Sequence, residues 1–388
     1  MKILYHHRLG SKDGQYVHVT EIINSLRNQG HEVIIVEPKM LEQNDFGGET
    51  PVVALLKRNL PQFLYEIAEF SYSFIAFLKI MQAAIKHKPD FIYERFSLYM
   101  IAGVIAKRIL GIPLILEINA PLYEERSDDL VISLKRFARW TQYYTFKHAD
   151  LLLPVTQVLG NIVKTYKVPE EKIDVIHNGI NREEFVYEGT KKEYRERINI
   201  PERLTIGFVG FLRGWHKLEY LLESFAAATA DSNASLVIIG DGPGTGDLKL
   251  LAEQLGIGDR LHITGIVDRS AMPIYIAALD IAILPNVVGY SSPLKLFEYL
   301  AMQCAVIAPD TGNIREILID GETALLFERG EVDQLTENMK TLLENPELRE
   351  RIAAAGRQLL IDAGFTWNEN ARRIIRHARL LIEKSSNI

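Results

Sequence analysis

The sequence has almost no cysteine and no long, uninterrupted apolar run. Its single cysteine among 388 residues, Cys304, cannot form an intrachain disulfide, and its apolar setting "CAVIA" predicts a buried strand residue rather than a nucleophile. The most apolar stretch, 63–85, contains Glu66, Glu69 and Lys79, so we expect it not to span a bilayer. The N-terminus "MKILYHHRLG" lacks the apolar core of a signal peptide. We therefore expect a cytoplasmic protein.

Excess positive charge and the standard phosphate-binding motifs are also missing. The formal net charge of −6 gives no electrostatic reason to expect a nucleic acid as partner. The loop "IIGDGPG" lacks both the glycine spacing of a dinucleotide fingerprint and the Lys-Ser/Thr of a P-loop. Because no Asp-x-Asp pair follows a strand, we expect no metal site.

What the chain does contain is a regular alternation of short apolar runs and amphipathic helical stretches. Continuous apolar strands separated by helices predict parallel sheets covered on both faces. The pattern restarts after a charged segment, 181–204, so we predict an α/β protein of two doubly wound, Rossmann-like domains facing across a cleft. The predicted domains are 1–185 and 186–366, with a basic C-terminal helix, 367–388, packing back on the first. The predicted strands include "IDVI" (173–176).

The loop "VGFLRGWHK" carries three basic side chains directly after a predicted strand. Gly210 ends the strand, and Arg213, His216 and Lys217 follow it. Cations at the carboxyl end of a parallel sheet suit a diphosphate, whereas the alternative is a solvated basic loop. We predict that Gly210, Arg213, His216 and Lys217 help to bind a ligand that contains a diphosphate.

Three further loops lack side chains that specify a ligand. Gly14 precedes a predicted helix, Gly240 follows a predicted strand, and Val267 lies at another predicted strand end. Glycine lets a backbone approach a ligand closely, and the backbone near Val267 offers groups for the edge of a nucleobase. The alternative for each is an ordinary turn. We include Gly14, Gly240 and Val267 in the predicted ligand-binding site.

The stretch "SSPLKLFEYLAMQ" predicts a helix with an anion site at its start. Ser292 is expected to cap the helix, with Pro293 in its first turn. The free amides of Leu294 and Lys295 would then face a phosphate. The carboxylate of Glu298 could accept two hydroxyl hydrogen bonds from a ribose. The alternative is a surface pair between Glu298 and Lys295, three residues earlier on the same helix.

Taken together, these segments resemble the family-four retaining glycosyltransferases of the GT-B fold over nearly the whole chain. The similarity rests on "GQYVHVTEIINSLRNQGHEV", "VIHNGI", and "SSPLKLFEYLAMQCAV" with its continuation. By this resemblance Glu298 matches the second glutamate of the E-x7-E motif, and Tyr290 stands where the first is expected. Phe211 and His216 replace an arginine and a lysine, and Asn119 aligns with a histidine of the catalytic face.

The resemblance implies transfer of a hexosyl group from a nucleotide diphosphate sugar to an acceptor hydroxyl, with retention. Asn119, Arg213 and Lys217 would be the catalytic residues. No cofactor is expected, because the nucleotide sugar is a substrate, and the acceptor would be a glycan, a lipid-linked sugar or a small molecule, as in polysaccharide biosynthesis. The alternatives are another GT-B activity, such as a sugar-nucleotide epimerase, and a non-catalytic sugar-nucleotide-binding or scaffold protein.

One helical stripe in the first half suggests peripheral contact with the inner face of a membrane. Lys57 and Arg58 lie just upstream of it. The alternative is a stripe that packs on the sheet. The stripe consists of Phe63, Ile67, Phe70, Phe74, Phe77 and Met81.

Overall fold

The computed structural model describes residues 1–10, 14–38, 55, 57–128 and 131–386, which form two compact units. The first unit comprises Met1–Asn178, Tyr290–Ser292 and the C-terminal residues from Trp367. The second comprises Gly179–Gly289 and Pro293–Thr366. The sequence-based boundary at residue 185 therefore lies within the second unit, and Tyr290–Ser292 cluster with the first.

The first unit contains a five-stranded, all-parallel sheet with helices in its crossovers. The strand order is β2-β1-β3-β4-β5. Because the order reverses beside β1, the unit is doubly wound. Its elements are β1 (Lys2–His6), α1 (Gly14–Asn28), β2 (Glu32–Val36), α2 (Gln62–His87), β3 (Phe91–Arg95), α3 (Ala102–Leu110), β4 (Leu114–Ile118), α4 (Leu122–Asp128), α5 (Lys135–His148), β5 (Leu151–Pro154) and α6 (Gln157–Lys164).

The second unit contains a six-stranded parallel sheet of order β11-β10-β9-β6-β7-β8. Here the order reverses between β6 and β9. Its elements are α7 (Lys191–Arg197), β6 (Thr205–Val209), α8 (Leu218–Ala228), β7 (Ser235–Ile239), α9 (Thr245–Gln254), β8 (Leu261–Ile263), α10 (Met272–Ala277), β9 (Ile281–Ile283), α11 (Leu294–Ala301), β10 (Ala305–Asp310), α12 (Gly312–Arg315), β11 (Leu325–Glu328), α13 (Val332–Glu344) and α14 (Pro346–Asp362).

The cores follow from strand geometry. Successive side chains of a strand point to opposite faces, and in the second unit Ile206 and Phe208 of β6 join one buried cluster while Val209 joins the other. Both faces are therefore covered, as the continuous apolar runs predict. Cys304, just before β10, is buried among these residues, and its burial raises the pKa of the thiol to about 11.

The strands differ from the prediction in two places. "IDVI" (173–176) contributes only an isolated bridge between Ile173 and Leu152, not a strand. The edge strand β11 was missed. It has four residues and ends at exposed Glu328, so its apolar run is too short to stand out from the turns around it.

The last helix, α15 (Trp367–Ser386), belongs to the first unit and packs on α1. Trp367 is buried with its ring centroid 5.0 Å from that of His18. Asp174 accepts hydrogen bonds from Arg373 at 2.8 Å, and it lies 2.7 Å from a ring nitrogen of His377.

Helix α2 buries two glutamates together with apolar residues such as Ile80, and it exposes an apolar outer face. Glu66 and Glu69 are buried. Glu66 accepts from the Tyr99 hydroxyl at 2.8 Å, and Glu69 accepts from Arg8 at 3.0 Å and Arg126 at 2.9 Å. Within the described residues, no helix is both long and apolar enough to cross a membrane.

Candidate functional site

The centre of the candidate site is the carboxyl end of β6, where the second sheet reverses its strand order. Gly210 ends the strand with φ +151°, and a Cβ there would lie 2.7 Å from the Lys295 Nζ. That ammonium nitrogen lies 4.0 Å from the ring centroid of Phe208, on the same strand. A side chain at position 210 would displace the ammonium, so the glycine is what allows the cation to lie over the strand end.

Two basic groups at this strand end have lowered pKa values. Burial, followed by the charges of Lys295 and Arg213, lowers the pKa of His216 to about 2, so the imidazole is neutral at ordinary pH. Burial lowers the pKa of Lys295 to about 7, although the charge of Glu298 opposes this shift. The histidine thus serves as a packing group, with its ring centroid 4.9 Å from that of Phe208. Lys295 is the basic group here that carries a proton below about pH 7.

Glu298 has a different partner from the one considered in the sequence analysis. Its carboxylate, 6% exposed, accepts a hydrogen bond from the guanidinium of Arg269 and does not form a surface pair with Lys295. The Arg269 guanidinium lies 4.8 Å from the ring centroid of Phe185. The alternative of an exposed pair with Lys295 is therefore wrong, because the acid is buried and bonded to Arg269 in a loop. The assignment of Glu298 to a ribose stays a prediction.

Arg213 and Lys217 lie on the surface of the loop that carries His216. The Lys217 Nζ is 3.3 Å from a carboxylate oxygen of Glu219, and 44% of the Lys217 side chain is exposed. The exposed Arg213 guanidinium lies 5.3 Å from the ring centroid of Phe211. The cation that the structure places at Gly210 is therefore Lys295, and the proposed catalytic roles of Arg213 and Lys217 stay predictions.

Gly240 ends the neighbouring strand β7 and packs against the backbone of Gly210. It has φ +144°, and a Cβ there would lie 2.0 Å from the Gly210 carbonyl oxygen. Gly240 also forms an isolated bridge with Gly265. This glycine therefore brings two strand ends together. Val267, two residues after Gly265, is partly buried against the core of the unit, and its backbone role stays a prediction.

The start of α11 corrects the predicted cap. The helix begins at Leu294, and its preceding residue, Pro293, offers no side-chain cap. Ser292 instead accepts a hydrogen bond at its Oγ from the backbone N–H of Asn178, 3.0 Å away. The Asn178 amide donates to the Ser292 carbonyl at 2.6 Å. Ser292 is therefore tied to the first unit rather than to the helix it precedes, and the backbone carbonyl of Tyr290 accepts from the Thr156 hydroxyl at 2.8 Å in the same unit.

The first unit has its own buried polar cluster, centred on Glu117 at the end of β4. Its carboxylate accepts hydrogen bonds from Tyr93 and Arg95, each at 2.7 Å, and from the side-chain amide of Asn119. The His18 Nε2 lies 3.0 Å from the same carboxylate. Although burial opposes it, the charges of His18 and Arg95 hold the pKa of Glu117 below its ordinary value.

Of the predicted residues in this unit, Asn119 joins the cluster and Gly14 is the exposed first residue of the helix that carries His18. The sequence analysis missed Glu117 and Arg95. Charged residues inside "FIYERF" and "LILEIN" were the signal, because apolar strands seldom bury a charge without a partner. Among the described residues, no group of three His, Cys, Asp or Glu side chains could hold a metal ion.

Two protein-family models match the chain, one to each half. Residues 12–184 match Glycosyltransferase Family 4, and residues 190–359 match Glycosyl transferases group 1. The Alpha-D-kanosaminyltransferase of Streptomyces kanamyceticus is 26% identical over 254 residues, which cover 63% of this chain and 65% of that protein. This chain thus spans just under two thirds of that relative. The D-inositol 3-phosphate glycosyltransferase of Streptomyces scabiei is 24% identical, covering 93% of this chain and 85% of its own.

A solved structure shows the same fold. HepE of Anabaena, crystallised with UDP and glucose, superposes with a TM-score of 0.76 at 18% identity, covering 98% of this chain and all of its own. The predicted fold class is confirmed: both units are doubly wound, parallel α/β domains of the GT-B type.

Proposed function

Since the chain belongs to the GT-B glycosyltransferases, we propose that it transfers a hexosyl group from a nucleotide diphosphate sugar to an acceptor hydroxyl, with retention of configuration. The observation that carries the proposal is the Lys295 ammonium over Gly210, at the point where the second sheet reverses its strand order. Ligands of doubly wound sheets bind at such points. A cation there suits the diphosphate of a sugar donor.

The donor would be bound mainly by the second unit. Phosphate oxygens would accept from the amides of Leu294 and Lys295, and Glu298 would accept hydrogen bonds from the ribose hydroxyls while keeping Arg269 as its neighbour. Gly240 and Val267 would leave backbone groups accessible near the base. Of the residues in the first unit, Gly14 and Tyr290 stay proposed donor-binding residues, and Asn119 stays a proposed catalytic residue.

The reaction would exchange one bond at the anomeric carbon for another. The bond from C1 to the β-phosphate oxygen breaks, the acceptor oxygen bonds to C1 on the same face, and its proton moves to the leaving phosphate. Arg213 and Lys217 would stabilise the negative charge that develops on that phosphate. Protein cations and amides would neutralise the phosphates, so we propose that no divalent metal is needed. Full transfer in EDTA would support this, and activity that returns only with magnesium or manganese would contradict it.

The test combines donor binding with turnover. Thermal shifts with UDP, GDP, ADP and their sugars would identify the base, because a ligand at 100 times its dissociation constant stabilises a protein by about 2.7 kcal/mol. The identified nucleotide sugar is then incubated with candidate acceptors. Release of nucleoside diphosphate coupled to a new glycoside supports the proposal. Binding without turnover would instead favour a sugar-nucleotide-binding protein, for which Tyr290, in place of an expected acid, is the motivating residue.

The outer face of α2 extends the proposal to the acceptor. Phe70, Phe77 and Met81 of the predicted stripe pack against the core, whereas Phe63, Ile67 and Phe74 are exposed. Further exposed apolar side chains on this helix are Leu64, Ile75, Leu78 and Ile85. An apolar face of this size, with Lys57 and Arg58 upstream, fits peripheral contact with an anionic membrane and hence a lipid-linked acceptor.

Co-sedimentation with anionic and neutral liposomes tests this contact. We expect binding to anionic vesicles that is lost in the double variant Phe74→Ser/Ile85→Ser, whose side chains are 66% and 71% exposed. Leu250→Ser is the matched control, because Leu250 is similarly exposed but lies on α9. Equal sedimentation of the double variant and the control would exclude α2 as the contact.

A further inference from the structure

We infer that the Lys295 side chain contributes more to binding of the donor diphosphate than the basic loop 213–217 does, and that this makes donor affinity depend on pH near neutrality. The inference rests on the proposed function. It assigns to the ammonium a role that the sequence analysis gave to a backbone amide and to two loop cations.

The surroundings of the Lys295 ammonium favour an anionic ligand. The Lys295 Nζ lies over the end of β6, between the Phe208 ring and the bare Cα of Gly210. Among the described residues, no carboxylate lies within ion-pair distance of it. The nearby acid, Glu298, bonds to Arg269 instead. A partly buried cation without a bonded anion is well placed to bind an anionic ligand, because the ligand then supplies the missing partner.

The basic side chains of the loop 213–217, which could also bind the diphosphate, have other neighbours. Lys217 pairs with Glu219 on the surface, and Arg213 lies over the ring of Phe211. His216 is buried and neutral, because burial lowers its pKa to about 2. Within the part of the chain that the structure describes, Lys295 is therefore the cation that lies against Gly210.

The pH dependence follows from the pKa of Lys295, which burial lowers to about 7. Above that pH the free protein has lost the proton, so an anionic ligand must bind the minor, charged form. Three other groups lie around this lysine: Glu298, which is bonded to Arg269, and His216, which burial keeps neutral throughout pH 7–9. Arginine side chains do not deprotonate in proteins. The diphosphate is largely ionised throughout pH 7–9, so its own charge changes little over this range.

The experiment measures binding of a nucleoside diphosphate and of its nucleoside by calorimetry at pH 7, 8 and 9. The probe is whichever of UDP, GDP and ADP gives the largest thermal shift. In the unmodified protein we expect diphosphate affinity to fall about ten- to fiftyfold from pH 7 to pH 9, since each pH unit above the pKa costs up to about tenfold. Nucleoside affinity should not change with pH.

Three variants separate the roles. Lys295→Met should weaken diphosphate binding about ten- to a hundredfold at pH 7, abolish the pH dependence, and leave nucleoside affinity within about twofold. Lys295→Arg should bind with little pH dependence, because arginine stays charged throughout the range. Lys191→Met is the matched control: Lys191 is another partly buried lysine of this unit over an aromatic ring, but it donates to the Met302 carbonyl. Its diphosphate affinity should be unchanged.

Diphosphate affinity that is equal in Lys295→Met and the unmodified protein would overturn the inference, with nucleoside binding reporting that the variant is folded. A pH dependence that persists in Lys295→Met would also overturn it. If the unmodified protein binds none of the three diphosphates, the proposed function fails and the inference falls with it. If instead Arg213→Met and Lys217→Met cause the larger loss, the loop is the phosphate site and the inference is wrong.

Discussion

The Glu298→Gln substitution distinguishes a ligand-binding acid from a structural one, and the structure changes what should be expected of it. Glutamine keeps the shape and one oxygen for Arg269 but removes the charge. A hydrogen bond to a charged group contributes about 1.5–3 kcal/mol, and solvent compensates part of it because 34% of the Arg269 side chain is exposed. We therefore expect the free energy of unfolding to fall by roughly 1–2 kcal/mol. A surface pair with Lys295 would have predicted almost no change.

The same substitution should weaken donor binding if the acid also accepts from the ribose. The Glu298 carboxylate would accept two hydroxyl hydrogen bonds, and glutamine lacks its charge. We therefore expect the affinity for a nucleoside diphosphate to fall roughly ten- to hundredfold. The ribose itself provides the sharper readout. The unmodified protein should prefer a ribonucleoside diphosphate to its 2′-deoxy analogue, whereas Glu298→Gln should show little preference between them.

Urea unfolding and calorimetry measure the two effects. Arg269→Gln and the double variant Glu298→Gln/Arg269→Gln complete a cycle that isolates the energy of the pair. Glu337→Gln is the surface control, because its i,i+3 pair with Lys340 is exposed and should contribute less than about 0.5 kcal/mol. If Glu298→Gln lowers stability but keeps both the donor affinity and the preference for the 2′-hydroxyl, the acid serves only the fold, and our assignment of it to the ribose is refuted.

Three further predictions concern the framework around the sites. Gly240→Ala should cost roughly 2–4 kcal/mol of stability in urea unfolding, because its Cβ would lie 2.0 Å from a carbonyl oxygen, whereas Gly244→Ala, with an ordinary 3.7 Å contact, should be nearly neutral; equal costs would contradict this. The lowered pKa of Glu117 contributes stability above its ordinary pKa of about 4.5, and this stability is lost as the pH falls. The melting temperature below pH 4.5 should therefore change less with pH in Glu117→Gln than in the unmodified protein. Parallel curves of melting temperature against pH would refute the linkage. Trp367→Ala should cost about 3–5 kcal/mol while Leu380→Ala, on the exposed side of the same helix, costs little, and a neutral Trp367→Ala would show that α15 adds no stability to the first unit.

The sheets were predictable because parallel strands buried on both faces must be apolar throughout, and that pattern is local. The runs "TIGFV" and "SLVII" became β6 and β7 with every residue buried. The edge strand β11 was not predicted, because an edge strand needs no long apolar run. It has four residues, and the last of them is exposed.

The site was predictable only as far as its loops. Glycine at a strand end is a local signal, and Gly210 and Gly240 lie where the sequence placed them. The partners of the charged groups are not local: Arg269 is 29 residues from Glu298, and Asn178 is 114 residues from Ser292. A capping rule applied to "SSPLK" considers only neighbouring residues, so it does not predict that the distant Asn178 amide donates to Ser292. Pairings of this kind follow from the topology of the sheet rather than from spacing along the chain.

Helix α2 shows the same limit in a periodic pattern. A period of 3.6 identifies which residues share a face, but it does not say which face is buried. Here the buried face holds Glu66 and Glu69, since the Tyr99 hydroxyl, the Ser133 amide and the guanidinium of Arg126 supply their hydrogen bonds. Such a satisfied network lets the fold bury two carboxylates beside apolar residues such as Ile80, because each carboxylate keeps its donors. The exposed apolar side chains lie on the opposite side of the helix, and they, rather than the stripe as a whole, are what the liposome experiment tests.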